Sequence, residues 1–146
     1  MATTFTAVTG VADRLRISIA RTARRMRQEG SDELTATQSA ALTTLDRFGP
    51  LTPSELAARE RMGRPTATRL VARMEQRGLI TRTPDPEDGR SSMLAISGAG
   101  QALIQELRRR NTAFLARRLQ TLDPEERALL ERAAQLLDRM LDEDAA

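Results

Sequence analysis

The chain has 146 residues, of which 40% are apolar and 29% charged, as is typical of a folded globular protein. It contains no cysteine and no histidine, which excludes disulfides, thiolate or imidazole metal sites, and Ser-His-Asp or Cys-His catalysis. An enzyme would have to work with Asp, Glu, Arg, Ser or Thr alone, which is restrictive, and we expect a protein without enzymatic activity, cofactor or metal. Aromatic residues make up only 2%, so the core must be aliphatic, and the strong helix formers Leu, Met and Ala favour a helical protein.

Positive charge is concentrated in the middle of the chain. All 23 basic residues are arginine, whose fork of donors suits phosphates and guanine edges. Residues 59–82 hold seven arginines against two glutamates, a net charge of +5, whereas residues 123–146 hold eight acids against three arginines, a net charge of −5. This distribution predicts that one face of the protein meets a polyanion.

The first ten residues have neither the basic segment of a signal peptide nor a long apolar run, so we expect a cytoplasmic protein with no membrane contact. Residues 1–9 are predicted to form a short frayed arm. From Val11 to Met26 apolar residues recur at helical spacing, and Gly30 is predicted to end this helix. Thr35 and Gln38 have the spacing of a capping box, which predicts a second helix that ends at Gly49.

Two further helix starts lie close together. The segment 52–55, Thr-Pro-Ser-Glu, combines an N-cap, a first-turn proline and an acidic third residue, and predicts a short helix that stops near Gly63. Pro65 then opens a helix that runs to about Arg77 and is ended by Gly78. Two helices joined by a short turn containing glycine form a helix-turn-helix.

After this motif the residue period becomes β-like. Residues 79–82 and 93–96 are predicted as two antiparallel strands, joined by an exposed loop rich in turn formers, and helices follow from Ser97 and from Asp123. The expected fold is mainly α with a small β-hairpin wing, a winged helix-turn-helix flanked by dimerisation helices. The predicted division is a dimerisation part at 1–30, a DNA-binding domain at 35–97 and dimerisation helices at 98–146.

The helix from Pro65 to Arg77 carries the candidate DNA contacts. Its apolar residues share one face, and the opposite face is polar and basic, as suits a helix in a major groove. We assign base contacts to the N-terminal part of this face and phosphate contacts to Arg73 and to Ser54 of the preceding helix. The N-terminal set is Arg64, Thr66, Thr68 and Arg69, and Pro65 at the helix start also belongs to the DNA-binding site. A plain solvated face, with Glu75 pairing to nearby arginines, is the alternative.

The hairpin loop carries Asp88, Gly89 and Arg90. Gly89 allows a sharp turn, and we expect the Asp88 carboxylate to hold the Arg90 guanidinium for insertion into a narrow minor groove. An ordinary polar loop is the alternative. The basic triplet 108–110 is interpreted either as a solvated helix face or as the lining of a groove for an anionic ligand.

These pieces together resemble the MarR family (multiple antibiotic resistance regulators). The matching segments are LTATQSAALTTL, LTPSELAARERMGRPTATRLVARMEQRGLITR and DPEDGRSSMLAIS followed by GAG. The resemblance implies a homodimer whose first and last helices interleave, binding to a pseudo-palindromic operator in double-stranded DNA, repression, and release by a small aromatic or anionic effector. The family's recognition helix falls on residues 65–77 and its wing pair on Asp88 and Arg90. Cysteine-based peroxide sensing is excluded.

Two other classes of function remain open at this point. A protein-interaction module that kept the winged-helix shape would bind DNA weakly and would be insensitive to changes at Arg69 or Arg90. An enzyme would need carboxylates close together in a cleft, and the best cluster, Asp85, Glu87 and Asp88, belongs to an exposed loop where no pKa shift is expected.

Overall fold

The computed structural model describes residues 2–30 and 33–142, so that Glu143 and Asp144 of the acidic stretch lie outside the described residues. It contains six helices and one hairpin in these residues. Their bounds are α1 Ala2–Gly30, α2 Ala36–Phe48, α3 Pro53–Arg59, α4 Arg64–Gln76, β1 Ile80–Pro84, β2 Ser92–Ile96, α5 Gly98–Leu119 and α6 Pro124–Asp142. The predicted fold class is confirmed. None of the described helices is long and apolar enough to cross a membrane.

The N-terminal arm is a correction to the sequence-based expectation. Residues 2–9 were expected to fray, but α1 begins at Ala2 and continues without a break to Gly30. The threonines in this segment lower helix propensity only slightly, and they interrupt the apolar spacing on which the prediction relied. The helix is therefore about three turns longer than its apolar stripe.

Most helices begin at a side chain that satisfies free backbone N–H groups. Thr35 and Thr52 each accept a hydrogen bond from the backbone of the third helical residue, at 3.2 Å in both cases, and form complete capping boxes with Gln38 and Glu55. Ser97 Oγ accepts from Gly100 N at 3.0 Å at the start of α5. Such caps stabilise a helix by about 1 kcal/mol each. The starts of α2 and α3 are thus encoded locally.

The core lies where α2, α3 and α4 meet the hairpin and the first turns of α5. Leu42, Leu56, Met74 and Leu94 are fully buried at its centre, each contributed by a different element. Fully burying a side chain of this size stabilises the fold by about 1.5–3 kcal/mol. The apolar faces of three short helices and one strand therefore form one continuous core that holds α4 in place.

The hairpin pairs Ile80 with Ile96 at its base and Pro84 with Ser92 at its outer end. A third segment joins it, because Leu51 N donates to Leu94 O at 2.9 Å and Leu94 N donates to Leu51 O at 2.7 Å. No local sequence pattern predicts this bridge. It connects the loop between α2 and α3 to the centre of the hairpin.

The chain divides into two compact units between Asn111 and Thr112, inside α5. The first unit contains α1 to α4, the hairpin and the beginning of α5. In the second, the Asp123 carboxylate accepts from Glu126 N at 2.8 Å, and this capping box starts α6. None of the described residues of α6 is buried. The predicted division into residues 1–30, 35–97 and 98–146 stays a prediction.

Candidate DNA-binding surface

Helix α4 has one face fixed to the core and one face open. Ala67, Leu70, Val71 and Met74 are buried, at three- and four-residue spacing. The predicted contact residues of this helix, from its N-terminal set to Arg73, are all exposed. The buried face fixes the rotation of the helix about its axis, so these polar side chains cannot turn into the protein. The structure gives the helix bounds as Arg64–Gln76, one residue earlier at each end than expected.

The guanidinium groups of Arg64, Arg69 and Arg73 make no ion pair within the described residues. The alternative interpretation assigned Glu75 to arginines of its own helix, but this carboxylate pairs instead with Arg82 on β1. The arginines of the open face therefore keep their hydrogen-bond donors available. Three unpaired guanidinium groups within about three turns of one helix form a surface suited to a polyanion.

The N-terminus of α4 is also open. Its N-cap is Gly63, and no side chain there accepts a hydrogen bond from the first turn. The first intrahelical bond is donated by Ala67 N to Gly63 O at 3.0 Å, and Pro65 has no N–H group. The N–H groups of Arg64 and Thr66 consequently lack an intrahelical acceptor. Such a terminus carries partial positive charge and favours an anion.

A cleft of about 300 Å³ between α4 and the start of α2 brings several of the predicted residues together. Thr66, Arg69 and Arg73 line one side of it, and Thr37 and Gln38 line the other. The contribution of α2 was not predicted, because no local sequence pattern shows that the N-terminus of one helix borders the outer face of another. The exposed Thr37 hydroxyl extends the surface available to a phosphate.

Two further predicted residues occupy the positions expected for them. Ser54 is exposed in the first turn of α3, where it can accept or donate a hydrogen bond. Thr68 is exposed on α4, but its hydroxyl donates to Arg64 O at 2.9 Å. Because that proton is already engaged, Thr68 can offer a base its methyl group and an acceptor oxygen.

The wing loop differs in one bond from the sequence-based expectation. Asp88 and Arg90 are both exposed, but the Asp88 carboxylate accepts from the backbone N of Arg90 at 3.1 Å, and no ion pair joins their side chains. The short aspartate side chain reaches the nearby backbone more readily than a long guanidinium, as in an Asx turn. Asp88 thus shapes the loop, and the Arg90 guanidinium is left open to solvent.

The basic triplet of α5 does not form an open basic surface. Arg108 pairs with Asp46 at 3.0 Å, and Arg110 pairs with Glu106 at 2.9 Å. Arg109 also pairs with Glu106, and the hydrogen bond from Arg110, together with the charge of Arg109, holds the pKa of the Glu106 carboxyl below its ordinary value. With their charges compensated by neighbouring acids, these arginines fit the solvated-face interpretation.

Comparison with known proteins agrees with this geometry. A model of the MarR family matches residues 34–92. The chain is 37% identical to the uncharacterised HTH-type transcriptional regulator Mb0904 of Mycobacterium bovis, covering 91% of this chain and 94% of that protein. A putative transcriptional regulator of Pseudomonas aeruginosa superposes with a TM-score of 0.84 at 34% identity, covering 92% of this chain and 96% of that one. For a MarR family protein of Bacillus stearothermophilus the TM-score is 0.80 at 28% identity, with 93% and 96% covered.

The exposed basic helix, the wing and these relatives agree on one class of protein. The described residues contain no group of three or more acidic side chains that could hold a metal ion. The chain belongs to the MarR family of helix-turn-helix transcription regulators, which are DNA-binding proteins and not enzymes.

Proposed function

We propose that this regulator is a cytoplasmic repressor that binds a pseudo-palindromic operator as a homodimer. In this proposal α4 enters the major groove with Pro65 in its first turn, and its N-terminal set contacts base edges: Arg64, Thr66, Thr68 and Arg69. Ser54 and Arg73 contact phosphates, and the Arg90 guanidinium enters the adjacent minor groove beside the Asp88 turn. Two copies of α4 would meet the duplex one helical turn apart, roughly 34 Å.

The observation that carries this proposal is the open face of α4. A helix surface that only needs solvation commonly neutralises its charges with acids one turn away. On α4 the one acid, Glu75, pairs outside the helix, and Arg69 and Arg73 have no acidic partner among the described residues. Together with the uncapped start at Gly63, this leaves both a charge and free N–H groups for DNA.

The test is fluorescence anisotropy with duplex DNA from upstream of the protein's own gene and with scrambled duplex, over a salt series. We expect tight binding that prefers the native duplex and falls steeply with salt. Arg69→Ala should reduce this preference, with a loss of about 1–3 kcal/mol, whereas Arg73→Ala should weaken binding to both duplexes alike. Arg117→Ala, an exposed arginine of α5, is the matched control.

The variant Arg90→Ala tests the wing in the same assay, and it should weaken binding to the native duplex. Equal, weak binding to both duplexes by the wild type and by the variants of Arg69 and Arg90 would contradict the proposal. Such a result would favour the interaction-module alternative.

Homodimerisation is supported by the exposed apolar residues of α1 and α6. Val8, Val11 and Ile19 of α1 are each at least half exposed, and Leu129 and Leu141 of α6 are 69% exposed. Apolar stripes of this size on long helices indicate a partner surface. We assign residues 1–30 and 98–146 to the dimer and residues 35–97 to DNA binding.

Repression is supported by a named relative, the HTH-type transcriptional repressor MdtR of Bacillus subtilis, which is 35% identical over 64% of this chain and 60% of that protein. A reporter gene placed behind the native upstream DNA tests the direction of regulation. Deletion of the regulator should raise reporter expression, and a fall would identify an activator.

Release by an effector is supported by a cavity of about 470 Å³ among α1, α2 and the middle of α5. Its volume falls within the range of small-molecule sites. Among the described residues that line it, Arg27 is the only basic one, and Glu60, which accepts from the Thr44 hydroxyl, is the only acidic one. The PcaV regulator of Streptomyces coelicolor, 28% identical with a TM-score of 0.60 over 90% of this chain and 89% of that one, was solved with its natural ligand.

We therefore assign a small aromatic anion to this cavity, with its negative group beside Arg27. Added benzoate, as the probe, should weaken DNA binding of the wild type, and Arg27→Gln should shift this effect to higher benzoate concentration. Arg24→Gln, an exposed arginine outside the cavity lining, serves as the control. If benzoate binds neither in calorimetry nor in the anisotropy assay, the aromatic-anion assignment is wrong.

A further inference from the structure

One guanidinium group joins three elements at the outer edge of the core. Arg82 on β1 donates from Nε to Glu75 Oε1 at 3.0 Å and from Nη2 to Glu75 Oε2 at 3.1 Å, a bidentate pair with the last turn of α4. Its Nη1 also donates to Ser92 Oγ on β2 at 2.9 Å. Three of its five N–H donors are thus committed to holding the helix and both strands together.

The Arg82 contact lies far enough out along the hairpin to influence the direction of the wing loop. Arg82 pairs across the hairpin with Leu94, which is fully buried, and it lies two residues outward from the buried Ile80 on the same face. Farther out, loop residues 85–91 hydrogen-bond only with one another in the described chain. One example is the bond from Asp85 N to Ser91 O at 3.1 Å. The Arg82 contact is therefore the outermost polar connection between hairpin and α4.

We propose that Arg82 is a positioning residue, which fixes the angle between the wing and α4 so that both can enter their grooves at once. This inference rests on the proposed DNA-binding function and adds a residue that does not itself need to touch DNA. A loop held at the correct angle before binding loses less freedom on association, which raises affinity without any new contact.

The chemistry of the pair favours positioning over two simpler roles. The Arg82 and Glu75 side chains are 42% and 31% exposed, and ion pairs exposed to this degree add little to stability. A direct phosphate contact is also disfavoured, because an acid already occupies the guanidinium fork. The hydrogen bonds between the two side chains lower the pKa of Glu75 and raise that of Arg82, so both groups are charged at neutral pH.

The direction in which Glu75→Gln changes DNA affinity distinguishes a positioning role from a purely electrostatic effect of the lost charge. Removal of an acid near DNA would by charge alone tighten binding, whereas loss of the bidentate pair should weaken it, by about tenfold for a typical coupling between neighbouring groups. Glu87→Gln, which removes an acid of the wing loop that makes no ion pair in the described structure, is the matched control and should not weaken binding. Thermal melting of each variant checks that it is folded.

A double-mutant cycle then tests whether Arg82 acts through the wing. If it does, Arg82→Gln combined with Arg90→Ala should weaken binding by less than the product of the two single effects, because a misdirected wing has little contact left to lose. Ser92→Ala, which removes one hydrogen bond and no charge, should give a smaller loss of the same kind.

The outcomes distinguish this inference from the proposed function beneath it. Wild-type protein that does not prefer its native duplex would overturn the proposed function and this inference with it. If the wild type does prefer its native duplex, two results would overturn the positioning role alone. One is that Glu75→Gln binds as tightly as the wild type or more tightly, and the other is that the effects of Arg82→Gln and Arg90→Ala are independent.

Discussion

Helices α4 and α6 are both amphipathic, but they differ in whether the apolar face is buried. Four residues of the apolar face of α4 are buried, whereas α6, which carries Leu129, Leu130, Leu136 and Met140 exposed to between 40% and 69%, buries none of its described residues. An amphipathic helix gains most of its stability by burying its apolar face. The chain therefore buries the apolar face of α4 by itself, with the polar face left for the proposed DNA contacts, while the apolar face of α6 is left for the proposed dimer.

The largest expected effect comes from the same substitution made in each helix. Met74 is fully buried and Met140 is 61% exposed. Met74→Ala should lower the free energy of unfolding by about 2–5 kcal/mol at every protein concentration. Met140→Ala should cost less, and its cost should vanish on dilution, as urea denaturation at several protein concentrations would measure. If both variants lose the same free energy of unfolding at all protein concentrations, the two helices do not differ in the way described here.

A charge on the exposed stripe of α6 should separate the subunits. Leu130 is 48% exposed, so Leu130→Asp leaves the folding of its own chain largely unaffected but places a carboxylate in the proposed interface. We expect the dimer to weaken by at least about tenfold, or about 1.4 kcal/mol, in sedimentation experiments. Gln135→Asp adds the same charge outside the apolar stripe and should leave the dimer intact. A dimer that survives Leu130→Asp would remove α6 from the interface.

Helices α4 and α6 also differ at their N-termini, because α6 has a capping box at Asp123 and α4 has none at Gly63. Asp123→Ala should cost about 1 kcal/mol, whereas Gly63→Ser should gain a few tenths, because Gly63 has an ordinary φ of −69° and space for a side chain. Gly63→Asp should also cap α4 but should weaken DNA binding more than Gly63→Ser, through repulsion of phosphate. DNA affinity unchanged in both Gly63 variants would show that this terminus is not used.

The smallest expected effect is on acid stability. The Arg82 guanidinium holds the pKa of Glu75 below its ordinary value in the folded state. The contribution of this pair is therefore complete above the unfolded-state pKa, near the ordinary value of 4.5, and is lost as pH falls through the folded-state pKa. Wild type and Glu75→Gln should differ by less than about 1 kcal/mol at neutral pH and should converge in acid. A difference that grows in acid would reverse this sign.

The sequence predicted what is encoded within a few residues. Capping boxes at Thr35 and Thr52 predicted the starts of α2 and α3, and the spacing of apolar residues in α4 predicted which of its faces is open. What it missed depends on residues far apart in the chain, such as the bridge of Leu51 to Leu94 and the contact of Arg82 with Glu75 and Ser92. No periodic pattern encodes such pairs, because they arise only when separate elements pack together.

The internal bonding of loop 85–91 also bears on how this family diversifies. The buried core ends at Ile80 and Leu94, and the turn bond of Asp88 to Arg90 stays within the loop. Substitutions at the loop tip are therefore insulated from the core, as are those on the open face of α4. Under the proposed mode of DNA binding, operator preference can therefore change through substitutions on these two surfaces without loss of the buried core.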